Sequence, residues 1–554
     1  MGAEEVLEET SQGKNERRFG NIGEADGPGL SEAPIERCAW QARESFGRVS
    51  VHPGDIRHAR RPASMPGRRY ANTGVDPMAD SKQMPVGMDW TGAVLPGGAL
   101  LGAMLLLAWW WSHVEVREVK MRLPDPDRAT TGGSSARRDP AANGVVVAGT
   151  GAPLDFPGSW PQFRGPQRDG VSPETTGLAR GWKDGGPREL WGVECGEGYA
   201  GPVVRAGRVY LMDYVAARKM SALRCLSLAD GKEIWRYEYP TPLKRNHGVT
   251  RTVPTIADSR IVAMDSVCNV ICLDATSGRL QWSINLVREY GATVPPWYAG
   301  QCPLVVGRQV ILAPGGPAAL LMAVDLDTGK VLWKSPNPRE WKMTHSSVVP
   351  VTFNGEPLYL YCASGGVAAV SAKDGSPRAE TPDWKISIAN VPAPLTLEDG
   401  KIFLCGGYNA GSLMLQMKLD SSTLKLATLF RLPPEVFGST QQTPILLGRE
   451  IYGIRPNGQF VCLDFNGKVR WTSPSDSNFG LGSFLLAAGV FYVLNDSGML
   501  SLIEATPEQY HQLAQVRVLQ GTESWAPMAL VNGRLLARDF TRLACLDVGA
   551  ATKL

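Results

Sequence analysis

The residues best suited to chemistry sit in six short loops, 198–201, 247–252, 297–301, 344–347, 439–442 and 523–525, each just ahead of a hydrophobic strand. Arg251 with Thr252 is a donor pair for an anionic ligand. Tyr199, Tyr298 and Trp525 offer faces on which a flat ligand could stack. Gln301, Gln441 and Gln442 add amide hydrogen bonds. His345 beside Ser346 and Ser347 has the composition of a base with a nucleophile, but adjacent residues seldom face one another and no third orienting group follows. No catalytic residue is therefore expected. Every one of these side chains also has a structural role open to it: an Arg holding a neighbouring loop, a Thr capping a turn, a His or Gln bonding the next repeat, aromatics plugging a channel. Acid chemistry is thinly supplied, since Glu523 and the nearby Glu197 are the only carboxylates at these loops.

The elements that must position these loops repeat. A short apolar strand ends in Cys-Leu-Asp or its equivalent, a turn with Gly follows, and a Trp comes a few residues later: 225–235, 272–282, 324–333 and 462–471. A period of about 40–50 residues indicates a propeller or solenoid. In the first unit, runs at 202–204, 208–212, 222–226 and 233–237 read as four strands bounded by Gly and Asp. Units begin near Pro202, Pro254, Pro303, Pro350, Pro394, Pro444, Phe484 and Pro527. The last lacks its Trp strand, whereas a spare one, 189–193, precedes the first. If the spare strand completes the last blade, the ring closes without a free edge. The expectation is an all-β, eight-bladed β-propeller of four-stranded antiparallel blades, with seven blades as the fallback. The Trp residues are read as packing between blades. Asp374-Gly375 keeps its turn but loses the spaced Trp, and Asp420-Ser421-Ser422 replaces the Gly.

The 554 residues carry a net charge of +3 with no basic block in the repeats, so nothing asks for nucleic acid. Residues 93–111 are uncharged and largely apolar, ending in Trp109, Trp110 and Trp111. As a helix this run spans about 28 Å, near the thickness of a bilayer core, and a single membrane anchor is expected. A cleaved signal or a buried helix is the competing reading. Basic residues flank the run on both sides, so charge does not orient it. The expected organisation is a disordered segment over 1–88, an anchor over 89–113, a flexible linker over 114–159 and the propeller over 160–549. Met84 and Met88 precede the run, and a start placed too far upstream is one reading of the leading segment. Cys225, Cys272, Cys462 and Cys545 occupy equivalent places in different units, too far apart for disulfides. Cys268, Cys302, Cys362 and Cys405 leave a pair open. Cys-x-x-Cys, haem and zinc spacings are missing, so no metal site is expected.

The Gly-Lys-x-x-Trp turn after a Cys-Leu-Asp strand resembles the repeat of the pyrroloquinoline-quinone-binding-like, or quinoprotein-like, β-propeller proteins of the bacterial envelope. The segment Trp160-Pro161-Gln162-Phe163-Arg164-Gly165-Pro166-Gln167-Arg168-Asp169-Gly170 is similar to a lead-in common among them. The Gly-His and Trp-Asp dipeptides of WD-type propellers are missing. The resemblance implies two functional classes: cofactor-free scaffolds and sensors, or dehydrogenases using pyrroloquinoline quinone with calcium. The vicinal Cys-Cys implied for the alcohol dehydrogenases is absent, and their Glu, Asn and Asp constellation has no match. The expectation is a membrane-tethered propeller outside the cytoplasm, a non-catalytic binding or scaffolding module with no cofactor. Its partner would be an envelope protein or a small ligand, bound at a channel mouth formed by Tyr199, Arg251, Thr252, Tyr298, Gln301, His345, Gln441 and Trp525. A quinone-dependent sugar or alcohol dehydrogenase is the alternative.

Overall fold

The computed structural model describes residues 101–107, 109, 139–174, 177–182 and 185–550. Within the first compact unit, residues 1–116, residues 101–107 and 109 are helical. No helix among the described residues is long and apolar enough to cross a membrane. The segment 1–88, most of the 89–113 run and the linker up to 138 lie outside the described residues.

The second unit is a propeller of eight antiparallel sheets. The innermost strands are Val203–Arg205, Thr255–Ala257, Leu304–Val306, Val349–Phe353, Leu395–Thr396, Ile445–Leu447, Phe484–Ala487 and Ala529–Val531. They start within two residues of the positions read from the repeat. Blades 2 to 7 each take four consecutive strands. Blade 8 takes three from the end of the chain, and its outermost strand is Arg188–Glu194, paired with Arg542–Asp547. The ring is thus fastened by strands from its two ends, as the spare strand suggested.

The motif is explained by what its residues touch. Each Cys lies opposite a Trp on the neighbouring strand: Cys225 with Trp235, Cys272 with Trp282, Cys462 with Trp471, and Cys545 with Trp191 across the closure. In the first three pairs a register shift follows immediately after the Cys, a local bulge that increases twist. Trp191, Trp235 and Trp282 then lie against the turn Gly of the following blade, whereas Trp471 meets the glycine-free turn of blade 7 and donates its Nε1–H to Thr506 carbonyl. A Cβ on Gly278 would come within 2.7 Å of the Trp235 ring, and one on Gly329 within 2.7 Å of Trp282. With φ of 71° and 68°, these turns need glycine for conformation and for space at once. Where blade 5 lacks the glycine, Ser421 takes the left-handed conformation instead, with φ of 58°. All nine described cysteines are free thiols, so the pair left open among Cys268, Cys302, Cys362 and Cys405 is not formed.

Part of the segment expected as flexible linker is structured. Val145–Ala148 pairs with Glu233–Pro240 as a fifth, outermost strand of blade 1. Gly149 and Gly151 N–H groups donate to Ile234 and Glu233 carbonyls, and Leu154 N–H to Gly207. Ser159–Trp160 then pairs with the innermost strand. The Pro, Gly and Ala content that argued for a tether conceals a Val-Val-Val run able to continue the sheet. Residues 145–160 therefore form a strap from the outer edge of blade 1 to the ring centre.

Candidate functional site

After the strap, residues 160–172 enter the central channel. Pro161 carbonyl accepts from Ile256 N–H in blade 2, and Ser172 N–H donates to Leu486 in blade 7. The loop between them folds on itself around Arg164, whose guanidinium donates to the carbonyls of Arg168 (3.1 Å), Asp169 (2.7 Å), Thr443 (2.6 Å) and Pro444 (2.8 Å). Burial lowers the Arg164 pKa to about 10, partly offset by Asp169, so the group remains cationic at neutral pH. This plug divides the channel. A cavity of about 300 Å³ lies on the loop side, and a second of about 280 Å³ lies further along the inner strands, with Phe163 and Arg164 bordering both.

Tyr199, Arg251, His345, Gln441 and Trp525 of the expected mouth do line the first cavity. The loop carrying Tyr199 is pinned by Arg538, a fully buried side chain that donates to Gly196 (2.6 Å) and Ala200 (3.2 Å) carbonyls. Trp525 is fixed by its Nε1–H to Asp496 (2.8 Å), which also accepts from Leu481 N–H (2.7 Å). The two rings stack at 4.9 Å. Gln441 donates to Leu481 carbonyl at 3.0 Å. The remaining three are structural. Thr252 hydroxyl donates to Met264 carbonyl, Tyr298 hydroxyl donates to Lys244 carbonyl (2.8 Å), and Gln301 accepts from Ala313 N–H (3.0 Å) inside the sheet. They precede their inner strand as closely as the others do; sequence position alone does not distinguish a side chain turned inward to the blade from one turned to the channel.

His247, Trp297 and Tyr408 also line this cavity, and Glu523 joins the network through Tyr199. The Tyr199 hydroxyl donates to Glu523 at 2.6 Å. Burial, and then the Glu523 carboxylate, push its pKa up. His247 Nδ1 accepts from Gly248 N–H (2.9 Å) and lies 3.1 Å from an Arg251 Nη, which makes Nδ1 the unprotonated nitrogen. Burial and Arg251 both lower the His247 pKa. Arg251 itself donates Nε–H to Trp297 carbonyl and lies 4.8 Å above the Tyr199 ring. No ion pair to a carboxylate forms at Arg251 among the described residues, and burial lowers its pKa to about 10. The mouth therefore presents a cation on an aromatic floor. Tyr408 was missed because it comes from the Gly-rich turn 406–411 within blade 5, not from a loop ahead of an inner strand. Arg164 and Phe163 were missed because the lead-in was read for resemblance and not for position.

The His-Ser-Ser sequence makes no catalytic pair. His345 bonds through Nε2 to Pro296 carbonyl (2.9 Å), Ser346 hydroxyl donates to Pro392, and Ser347 hydroxyl accepts from Cys302 N–H. Burial, with Arg251 adding repulsion, lowers the His345 pKa to about 4. Between pH 4 and about 6.5 the unfolded chain binds a proton there that the folded chain does not, so stability falls as pH drops through this window. The expected loss is up to about 3 kcal/mol by pH 4. Urea titrations at pH 7.5 and 4.5 on the native protein and His345→Gln check this: the variant should show the smaller pH dependence.

Residues 219–473 match the family model described as outer membrane protein assembly factor BamB. BamB of Moranella endobia is 21% identical over 321 residues, covering 55% of this chain and 74% of that protein. BamB of Shewanella oneidensis is 22% identical over 308 residues, covering 52% and 69%. The crystal structure of BamB from Moraxella catarrhalis superposes with a TM-score of 0.45 at 14% identity, covering 65% of this chain and all of that one. The stretch matched by the family model contains the four clearest copies of the turn motif, 225–235, 272–282, 324–333 and 462–471.

Calcium-dependent quinone chemistry would need a cluster of carboxylate and amide ligands at the mouth. Among the described residues no group of three or more His, Cys, Asp or Glu side chains could hold a metal ion. Glu523 is committed to Tyr199 and Glu197 to Arg245. The donor set does not fit a calcium–quinone pair.

Proposed function

We propose that this protein is a membrane-tethered propeller on the extracytoplasmic side of the cell membrane, acting as a non-catalytic binding or scaffolding module for another envelope protein or a small ligand. The observation that carries this reading is the sequence match of residues 219–473, from the third strand of blade 1 to the end of blade 6, to the outer membrane assembly factor model. The mouth supports it, because its carboxylates are tied to neighbouring side chains and the Arg251 guanidinium lies among aromatic rings, a recognition surface more than a reaction centre. The apolar run at 93–111 supports the tether. Large closed β domains are compatible with export, which supports the extracytoplasmic side.

The test uses the full chain in its native membrane. Protease added from outside the cytoplasmic membrane should remove the propeller, and a photo-crosslinker at position 408 should join it to an envelope protein. A propeller protected until the cytoplasmic side is opened would overturn the placement. Turnover of alcohols or sugars by detergent-solubilised protein, with pyrroloquinoline quinone, calcium and a dye acceptor, would overturn the non-catalytic reading in favour of the dehydrogenase alternative.

A further inference from the structure

The second cavity has no role in the reading above. One face of it is apolar, with Leu304, Val349, Leu395 and Leu446 from blades 3 to 6, and Thr255, Thr396 and Thr443 add polar groups. Its principal charge comes from the plug. Arg168 takes a left-handed conformation, φ of 62°, which turns the chain back between the Gly165 and Gly170 turns. Of the five N–H donors in its guanidinium, one is used among the described residues, Nη2 to Val305 carbonyl at 2.6 Å. Its Nε is enclosed without an acceptor. No carboxylate lies within ion-pair distance of Arg168 among the described residues. Asp169 also borders the cavity, but its Oδ1 accepts from Val171 N–H and its charge acts on Arg164. Burial lowers the Arg168 pKa, partly offset by Tyr359. A half-buried cation without a carboxylate in ion-pair distance is costly, and a cavity with an apolar face beside it offers room for the missing partner.

We propose that the second cavity binds a small organic carboxylate, with its oxyanion on the Arg168 guanidinium and its hydrocarbon body against Leu304, Val349 and Leu446. The planar fork suits a carboxylate. At about 280 Å³ the cavity lies at the small end for ligand sites, which fits a short acyl chain or a single apolar side chain. A free carboxylic acid and the C-terminus of a polypeptide share this chemistry. Hexanoate represents the first source and N-acetyl-leucine the second.

Calorimetry on the full chain should show saturable binding of one or both at millimolar affinity or tighter. Arg168→Gln should weaken it at least tenfold, Arg168→Lys should retain more of it, and Arg251→Gln, in the other cavity, should leave it unchanged. Should Arg168→Gln fail to fold, the wild-type protein decides: bound acid should slow phenylglyoxal modification of Arg168 and not that of Arg251. Binding by hexanoate alone assigns the site to free acids, and binding by N-acetyl-leucine alone to chain termini. No saturable binding of either probe, or binding lost in Arg251→Gln and kept in Arg168→Gln, overturns the proposal.

Discussion

Trp191→Ala should lower the free energy of unfolding by about 3–5 kcal/mol, the range for truncating a buried Trp. Trp191 belongs to the strand that fastens the ring, it is 7% exposed, and its Nε1–H donates to Leu228 carbonyl in blade 1 at 3.0 Å. A Cβ on Gly231 would come within 2.7 Å of its ring. The side chain therefore joins blade 8 to blade 1 by packing and by one buried hydrogen bond. Its removal leaves a cavity where the closing strand holds the ring. An internal control lies on the same strand: Glu189 pairs with Arg542, but both are about one-third exposed, so Glu189→Ala should cost less than about 1 kcal/mol. Urea denaturation followed by fluorescence and circular dichroism checks both. Equal losses in the two variants would mean that the strand contributes through its backbone pairing and not through the Trp.

The same Trp shows how much of the fold was legible. Its place in a spare strand ahead of the first unit, and the missing Trp strand in the last unit, were enough to predict the closure. Unit starts were legible because a Pro commonly precedes the inner strand, and Gly in the turns because both conformation and contact require it. What escaped were segments outside the repeat. Residues 145–148 join a sheet because an open edge of blade 1 is available to them, a tertiary fact that their Pro- and Gly-rich surroundings conceal. Thr252, Tyr298 and Gln301 share loops with true channel residues, and only the direction of each side chain separates them. Arg164 and Arg168 stand four apart in a segment without periodicity. Their role follows from where the strap delivers that segment, which no local pattern encodes.

Arg164→Ala should release the plug. The guanidinium binds two carbonyls of its own loop and two of the strand entering blade 6, Thr443 and Pro444, so one side chain both folds the plug and attaches it to the wall. A hydrogen bond to a charged donor contributes about 1.5–3 kcal/mol. The four do not add fully, because cavities on both sides let water reach the freed carbonyls. The expected loss is therefore about 2–4 kcal/mol. Arg164→Lys should fall between, since an ammonium keeps the charge but cannot fork across four acceptors. Stability alone does not separate loss of the plug from general loosening, but trypsin does. Arg168 is a cleavage site inside the channel, and it should be cut at least ten times faster in Arg164→Ala while sites within the blades keep their wild-type rates. Uniform acceleration at every site would show that Arg164 supports the ring as a whole. Acceleration confined to 164–170 would show that the two cavities are separated by a segment that this one arginine holds in place.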